Sequence, residues 1–159
     1  MTKIFGQKIY TKFKDHKSDL NRHSIPMPLK GIPRQISPKL LHVLSRMGHG
    51  DELLIVDANF PAHAQGVQDV VHCDGLNATE ILEAVLQLLP LDSFVDYQAS
   101  VMQQVDSRED ALIIADFEKI LNSAYRKDGA DCPVSIERVE RFEFYERAKS
   151  VFAVCATSK

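Results

Sequence analysis

The sequence predicts an α/β fold built on a mainly parallel sheet, and three observations carry that expectation. Strand-like and helix-like segments alternate along the chain, the order that lays helices over a parallel sheet. The run Leu53-Leu54-Ile55-Val56 is continuously apolar, as a strand covered on both faces requires. The chain has 159 residues, enough for one substantial core and too few for two.

Residues 1–28 show no sustained period and end in Pro26 and Pro28, so a disordered or loosely attached extension is expected there. Residues 1–26 hold six Lys/Arg against two Asp, a surplus of +4 that leaves −7 for the rest of a chain whose net charge is −3. A basic arm gripping an anionic partner is therefore the alternative reading of this segment. The folded domain is expected over residues 29–159.

Ser37-Pro38 opens the first helix, with Ser as N-cap and Pro at the first helical position. Leu40, Leu41, Val43, Leu44 and Met47 follow at helical spacing, and Gly48 is the expected stop. His49 then falls in the turn before the strand Leu53–Val56, and Asp57 at the carboxyl end of that strand. Ligands collect outside such ends in open α/β sheets. Phe60 to His63 leads away, Val67 to His72 reads as a second strand, and Cys73-Asp74-Gly75 as a turn. Asn77 with Glu80 three residues later is a helix-start box, opening an apolar helix through Ile81, Leu82, Val85, Leu86, Leu88 and Leu89 to Pro90. A strand is expected within Phe94–Val105 and a helix over Ala111–Tyr125, where Leu112, Ile113, Phe117, Ile120, Leu121 and Ala124 repeat with helical period. Val134–Val139 reads as a strand, Phe144–Lys149 as a short helix and Val151–Ala156 as the final strand. No internal repeat or low-complexity tract interrupts this order.

Composition excludes several classes. The net charge of −3 argues against a general nucleic-acid binder. No apolar run is long enough to span a membrane, and the N-terminus lacks the apolar stretch of a secretory signal. Lys rather than Arg dominates it, and Asp15 and Asp19 interrupt it, unlike a mitochondrial presequence. Cys73, Cys132 and Cys155 are odd in number and far apart, which fits reduced thiols in the cytoplasm better than a disulfide framework or a zinc site. The chain has no Gly-x-Gly-x-x-Gly, P-loop, nucleophile elbow or catalytic-cysteine signature.

Two polar residues and one charged run remain as candidates. His49, between Gly48 and Gly50, either interacts with the preceding helix dipole or shuttles protons, since imidazole gives and takes them near neutrality. Asp57 is either a turn-capping carboxylate or an acceptor for the hydroxyls of a polyhydroxylated ligand. A metal-ligand reading would join His63 and His72 with these two, but nothing has metal-site spacing, and no metal is expected. The run Glu137–Arg147 is a solvated face laced with salt bridges, or, through Phe142, Phe144 and Tyr145, an aromatic surface for a sugar with Arg reaching its hydroxyls.

Several motifs match one family together. Leu29-Lys30-Gly31-Ile32-Pro33, Ile36-Ser37-Pro38 with Leu40-Leu41, Met47-Gly48-His49-Gly50-Asp51-Glu52, Asp57-Ala58-Asn59-Phe60-Pro61-Ala62, Asp74-Gly75 and Arg141-Phe142-x-Phe144-Tyr145-Glu146-Arg147-Ala148 resemble the L-fucose mutarotases. These are the fucose branch of a family shared with the D-ribose pyranases. The match runs over about residues 29–157 in order and looks nearer to animal than to bacterial members. The resemblance implies a three-layer α/β/α domain, homo-oligomers with sites near subunit interfaces, and no metal or organic cofactor. It also implies interconversion of the α and β anomers of L-fucose by ring opening and closure. By motif, His49 looks like the proton donor and Asp57 and Arg141 like sugar-binding positions, with Tyr145 beside Arg141 as a further candidate.

Two departures from the family pattern are expected to matter. Residues 1–26 precede the usual start. After Phe152–Thr157, family members continue for about twenty residues that include a Tyr-Gly-Asn segment of the sugar site, whereas this chain stops at Lys159. Weakened activity is the corresponding expectation. The alternatives are a non-catalytic sugar-binding or oligomer-building subunit and, less favoured by the Arg-Phe-x-Phe-Tyr-Glu-Arg run, a D-ribose pyranase.

Overall fold

The computed structural model describes residues 29–103 and 112–158. Residues 1–28, Val105 and Ala111, on which some of the expectations above fall, lie outside them. The elements run α1 (Pro38–Leu44), β1 (Leu53–Val56), a 3₁₀ turn (Ala62–Gln65), β2 (Asp69–Cys73), α2 (Ala78–Val85), β3 (Ala99–Met102), α3 (Leu112–Lys127), β4 (Ile136–Val139), α4 (Arg141–Ala148) and β5 (Ala153–Thr157).

Local chemistry explains the helix starts. The Ser37 hydroxyl accepts from the Leu40 amide at 3.1 Å, and Pro38 contributes no amide needing a partner. Asn77 and Glu80 form the expected reciprocal box, each side chain accepting from the other's backbone amide at 2.9 Å. Both caps satisfy donors that a helix leaves unpaired. The end of α1 differs from expectation. The helix stops at Leu44 with Ser45 as a right-handed C-cap, and Arg46 and Met47 tighten into a turn, their amides donating to Val43 and Leu44. Gly48 is therefore not the cap; it begins the next turn. Helix α4 starts earlier than the apolar pattern suggested, because the Glu140 carboxylate caps it by accepting from the Phe142 and Glu143 amides.

Every strand pair is parallel, confirming the α/β class, but the strands divide into two sheets. β5 lies between β1 and β2 in a three-stranded sheet, while β3 and β4 pair separately. Leu53 and Ile55 of β1 face the same side as Ala153 and Cys155 of β5 and Val71 and Cys73 of β2. That side packs on Leu40, Val43 and Leu44 of α1 and on Ile81, Ala84 and Val85 of α2. The opposite side packs Leu54, Val56, Val154 and Val70 against Phe60, Ala62 and Val67. The continuous apolar run of β1 thus has the two-sided burial its composition required. The second sheet separates because Ala99 and Ile136 are used elsewhere: they join Leu121 and Tyr125 of α3 and Leu82 and Leu86 near the end of α2.

Ile81 is fully buried at the junction of α2 with the main sheet, whereas Ile113 on α3 is 43% exposed. Ile81→Ala is expected to lower unfolding stability by about 2–5 kcal/mol, and Ile113→Ala by roughly 0.5 kcal/mol or less. Urea denaturation of the two variants checks this; equal losses would contradict the burial argument.

Candidate functional site

His49 occupies the corner of a tight turn. The Asp51 amide donates to the Gly48 carbonyl at 3.1 Å, and the Gly48 amide donates to the Asp51 carboxylate at 2.9 Å. Gly50 has φ 82°, a conformation that side chains disfavour. Gly50 is thus required by the turn, and the ring of His49 is left 84% exposed.

The imidazole is nevertheless held. Its Nδ1 lies 3.3 Å from the Asp92 carboxylate, and its ring meets Phe94 edge-on at 6.0 Å. The other Asp92 oxygen accepts from the Phe94 amide at 2.8 Å. That backbone bond, then His49, and then the Gly50 amide hold the Asp92 carboxyl below its ordinary value. A carboxylate only accepts, so Nδ1 carries the proton and Nε2 is left open to a ligand. Asp92 escaped the sequence reading because 43 residues separate it from His49. Its Leu-Asp-Ser-Phe setting reads as an ordinary loop.

Asp57 lies at the other end of β1. One carboxylate oxygen accepts from the Asn59 amide at 2.8 Å, so it is a turn aspartate as well as a candidate ligand. The other oxygen has no donor among the described residues. The turn that Asp57 opens delivers Phe60, whose ring stacks on Tyr145 with centroids 5.4 Å apart and planes 4° from parallel. Phe144 meets Phe60 edge-on at 6.4 Å. The Arg141 guanidinium lies 5.9 Å from the Tyr145 ring centroid, four residues back on the same face of α4. Arg141 has no carboxylate partner among the described residues, so its donors face solvent. Phe60 is the second residue the sequence reading gave no role; its signal was an aromatic three residues after a strand-end aspartate.

The charged run divides between the two readings offered for it. Arg147 grips both oxygens of Glu137 at 2.6 and 2.9 Å and also Glu143 at 2.9 Å. These bonds raise the Arg147 guanidinium and lower the Glu137 carboxyl. That part ties α4 to β4. Arg141 and Tyr145, earlier on the helix, are the part that meets Phe60 and the turn after β1.

The four predicted residues therefore do not form one cluster. Asp57, Arg141 and Tyr145 gather at the carboxyl end of the main sheet around Phe60. His49 precedes β1, and its partners Asp92 and Phe94 follow α2, which returns from the carboxyl end to the amino end. Four strand residues, roughly 13 Å of extended chain, separate the two groups.

Beside Phe60, a cleft of about 430 Å³ is lined by residues that include His63, His72, Asp74 and Thr157. Among the described residues no three His, Cys, Asp or Glu side chains gather as potential metal ligands.

The chain matches the RbsD / FucU transport protein family over residues 30–159. It is similar to the fucose mutarotase of Mus musculus, 47% identical over 133 residues, with 82% of this chain and 86% of that protein covered. The fucose mutarotase of Homo sapiens is 46% identical over 137 residues, covering 82% of this chain and 85% of that protein. The crystal structure of the fucose mutarotase of Streptococcus pneumoniae in complex with L-fucose has a TM-score of 0.72 at 37% identity. It covers 82% of this chain and 89% of that one. FucU from Bifidobacterium longum gives 0.70 at 39% identity, over 82% and 90% of the two chains.

Because folding lowers the Asp92 carboxyl, its contribution to stability is present above the ordinary carboxylate range and is lost as pH falls through its folded value. A carboxyl NMR titration is expected to place Asp92 below the ordinary aspartate midpoint. His49→Ala should restore only part of the shift, since the Phe94 amide is the larger cause. An unshifted midpoint in the parent protein would refute the clamp.

Proposed function

We propose that this chain, which belongs to the RbsD / FucU family, interconverts the α and β anomers of L-fucose, with His49 as the acid/base group. The observation that carries the residue assignment is the state of His49: exposed, held through Nδ1 by Asp92, and free at Nε2. Similarity to fucose mutarotases supports the substrate.

Ring opening requires a proton to leave the anomeric hydroxyl and another to reach the ring oxygen. Rotation about the freed carbonyl and closure on its other face complete the exchange. Imidazole supplies such transfers near neutral pH without a large penalty in either direction. Asp92, which touches His49 and not the sugar, is a positioning residue that fixes the tautomer. Asp57 accepts from sugar hydroxyls through its free oxygen, and Arg141 donates charged hydrogen bonds to sugar oxygens. Tyr145, braced by Phe60, offers an aromatic surface beside them. No metal or organic cofactor enters these steps.

The separation of His49 from Asp57 within one chain supports a homo-oligomer as the working unit, in which His49 of one copy meets the Asp57–Arg141 face of the next. Phe94, Tyr97 and Phe142, exposed at 89%, 52% and 74%, supply apolar surface for that association. No helix among the described residues is long and apolar enough to cross a membrane. Cys73, Cys132 and Cys155 are free thiols, and we place the protein in the cytoplasm, where thiols stay reduced.

His49→Ala is expected to slow anomer exchange by roughly 10²–10⁴-fold, measured by saturation-transfer NMR on fucose; an unchanged rate would exclude the acid/base role. Mixing His49→Ala with Arg141→Ala chains should restore part of the exchange through interfaces that combine the two intact halves. No restoration in subunit-exchanged mixtures would count against a shared site.

A further inference from the structure

His63 and His72 take no part in the proton chemistry above, and tertiary structure brings them together from different elements. His63 lies in the 3₁₀ turn and His72 in β2. Their Nε2 atoms are 3.3 Å apart, while the ring centroids are 5.4 Å apart and the planes tilted by 34°. The tips are closer than the ring centres, so the two nitrogens face each other at hydrogen-bond distance. Both rings line the cleft beside Phe60, with Asp74 in the same wall.

We propose that His63 and His72 form a two-imidazole site for a transition-metal ion of the zinc class. Two nitrogens, each about 2.0–2.1 Å from a tetrahedral ion, lie about 3.3–3.4 Å from one another, the separation the rings already hold. Imidazole pairs favour zinc, copper and nickel over magnesium and calcium, which prefer oxygen. No third His, Cys, Asp or Glu completes the group among the described residues. The ion therefore keeps open positions for water or an oxygen ligand in the cleft and exchanges readily, unlike a closed structural site. The sequence reading expected no metal because a separation of nine residues matches no ligand motif. The pairing is made by a turn folding back over the next strand.

The test is calorimetric titration of the full chain with zinc chloride, read alongside ¹H–¹⁵N spectra of the imidazole rings. Saturable binding of about one ion per chain is expected, with the His63 and His72 nitrogen resonances shifting together and magnesium chloride producing no binding heat. Loss of a direct ligand costs at least as much as loss of a supporting group, so His63→Ala and His72→Ala should each weaken binding by about tenfold or more. Both side chains are exposed, and the ring resonances report on the parent protein without any substitution. The proposal is overturned by zinc binding in both variants as tight as in the parent, by ring resonances that stay fixed at saturation, or by magnesium binding as tightly as zinc.

Discussion

β1 and β2 both hydrogen-bond to β5 in parallel, Leu53 opposite Ala153 on one side and Asp69 opposite the same alanine on the other. Ala153, Val154 and Cys155 are completely buried in consequence. This double pairing aligns the carboxyl ends of three strands at one edge. There Thr157 of β5 donates its hydroxyl to the Val56 carbonyl at 2.9 Å, joining the last strand to the first. Asp57, the 3₁₀ turn and the Cys73–Gly75 turn all emerge beside that junction.

The same constraint keeps His49 away from Asp57. A parallel strand has distinct entrance and exit edges, and eight residues of sequence separation conceal that β1 occupies half of the interval. Each edge then develops its own support. At the entrance, one carboxylate, Asp92, binds the Phe94 amide, the His49 ring and the turn backbone, so an exposed imidazole gains a defined orientation. At the exit, Phe60 of the strand-end turn stacks on Tyr145 and so ties that turn to α4.

The site is held by polar and aromatic contacts at the ends of the elements, and the core by aliphatic packing between them. Substitutions at Ile81 and at His49 therefore report on different properties. The former disturbs the seam between α2 and the sheet, and the latter leaves that seam untouched. The α4 segment shows the same division within two turns: Arg147 anchors the helix to Glu137, and Arg141 lies beside the Tyr145 ring.

The sequence by itself determined what depends on near neighbours: the Ser37 and Asn77 caps, the glycine-dependent turn around His49, the two-sided burial of β1, and the parallel α/β class. Each follows from backbone sterics, hydrogen-bond supply or apolar periodicity over a few residues. The motifs also marked His49, Asp57, Arg141 and Tyr145, though not their distribution over opposite edges. Only the tertiary structure decided the separate pairing of β3 with β4, the Asp92 clamp, the Phe60–Tyr145 stack and the convergence of His63 with His72. Those contacts join different elements, and their distances are set by how strands and helices pack, a quantity that no local pattern of residues encodes.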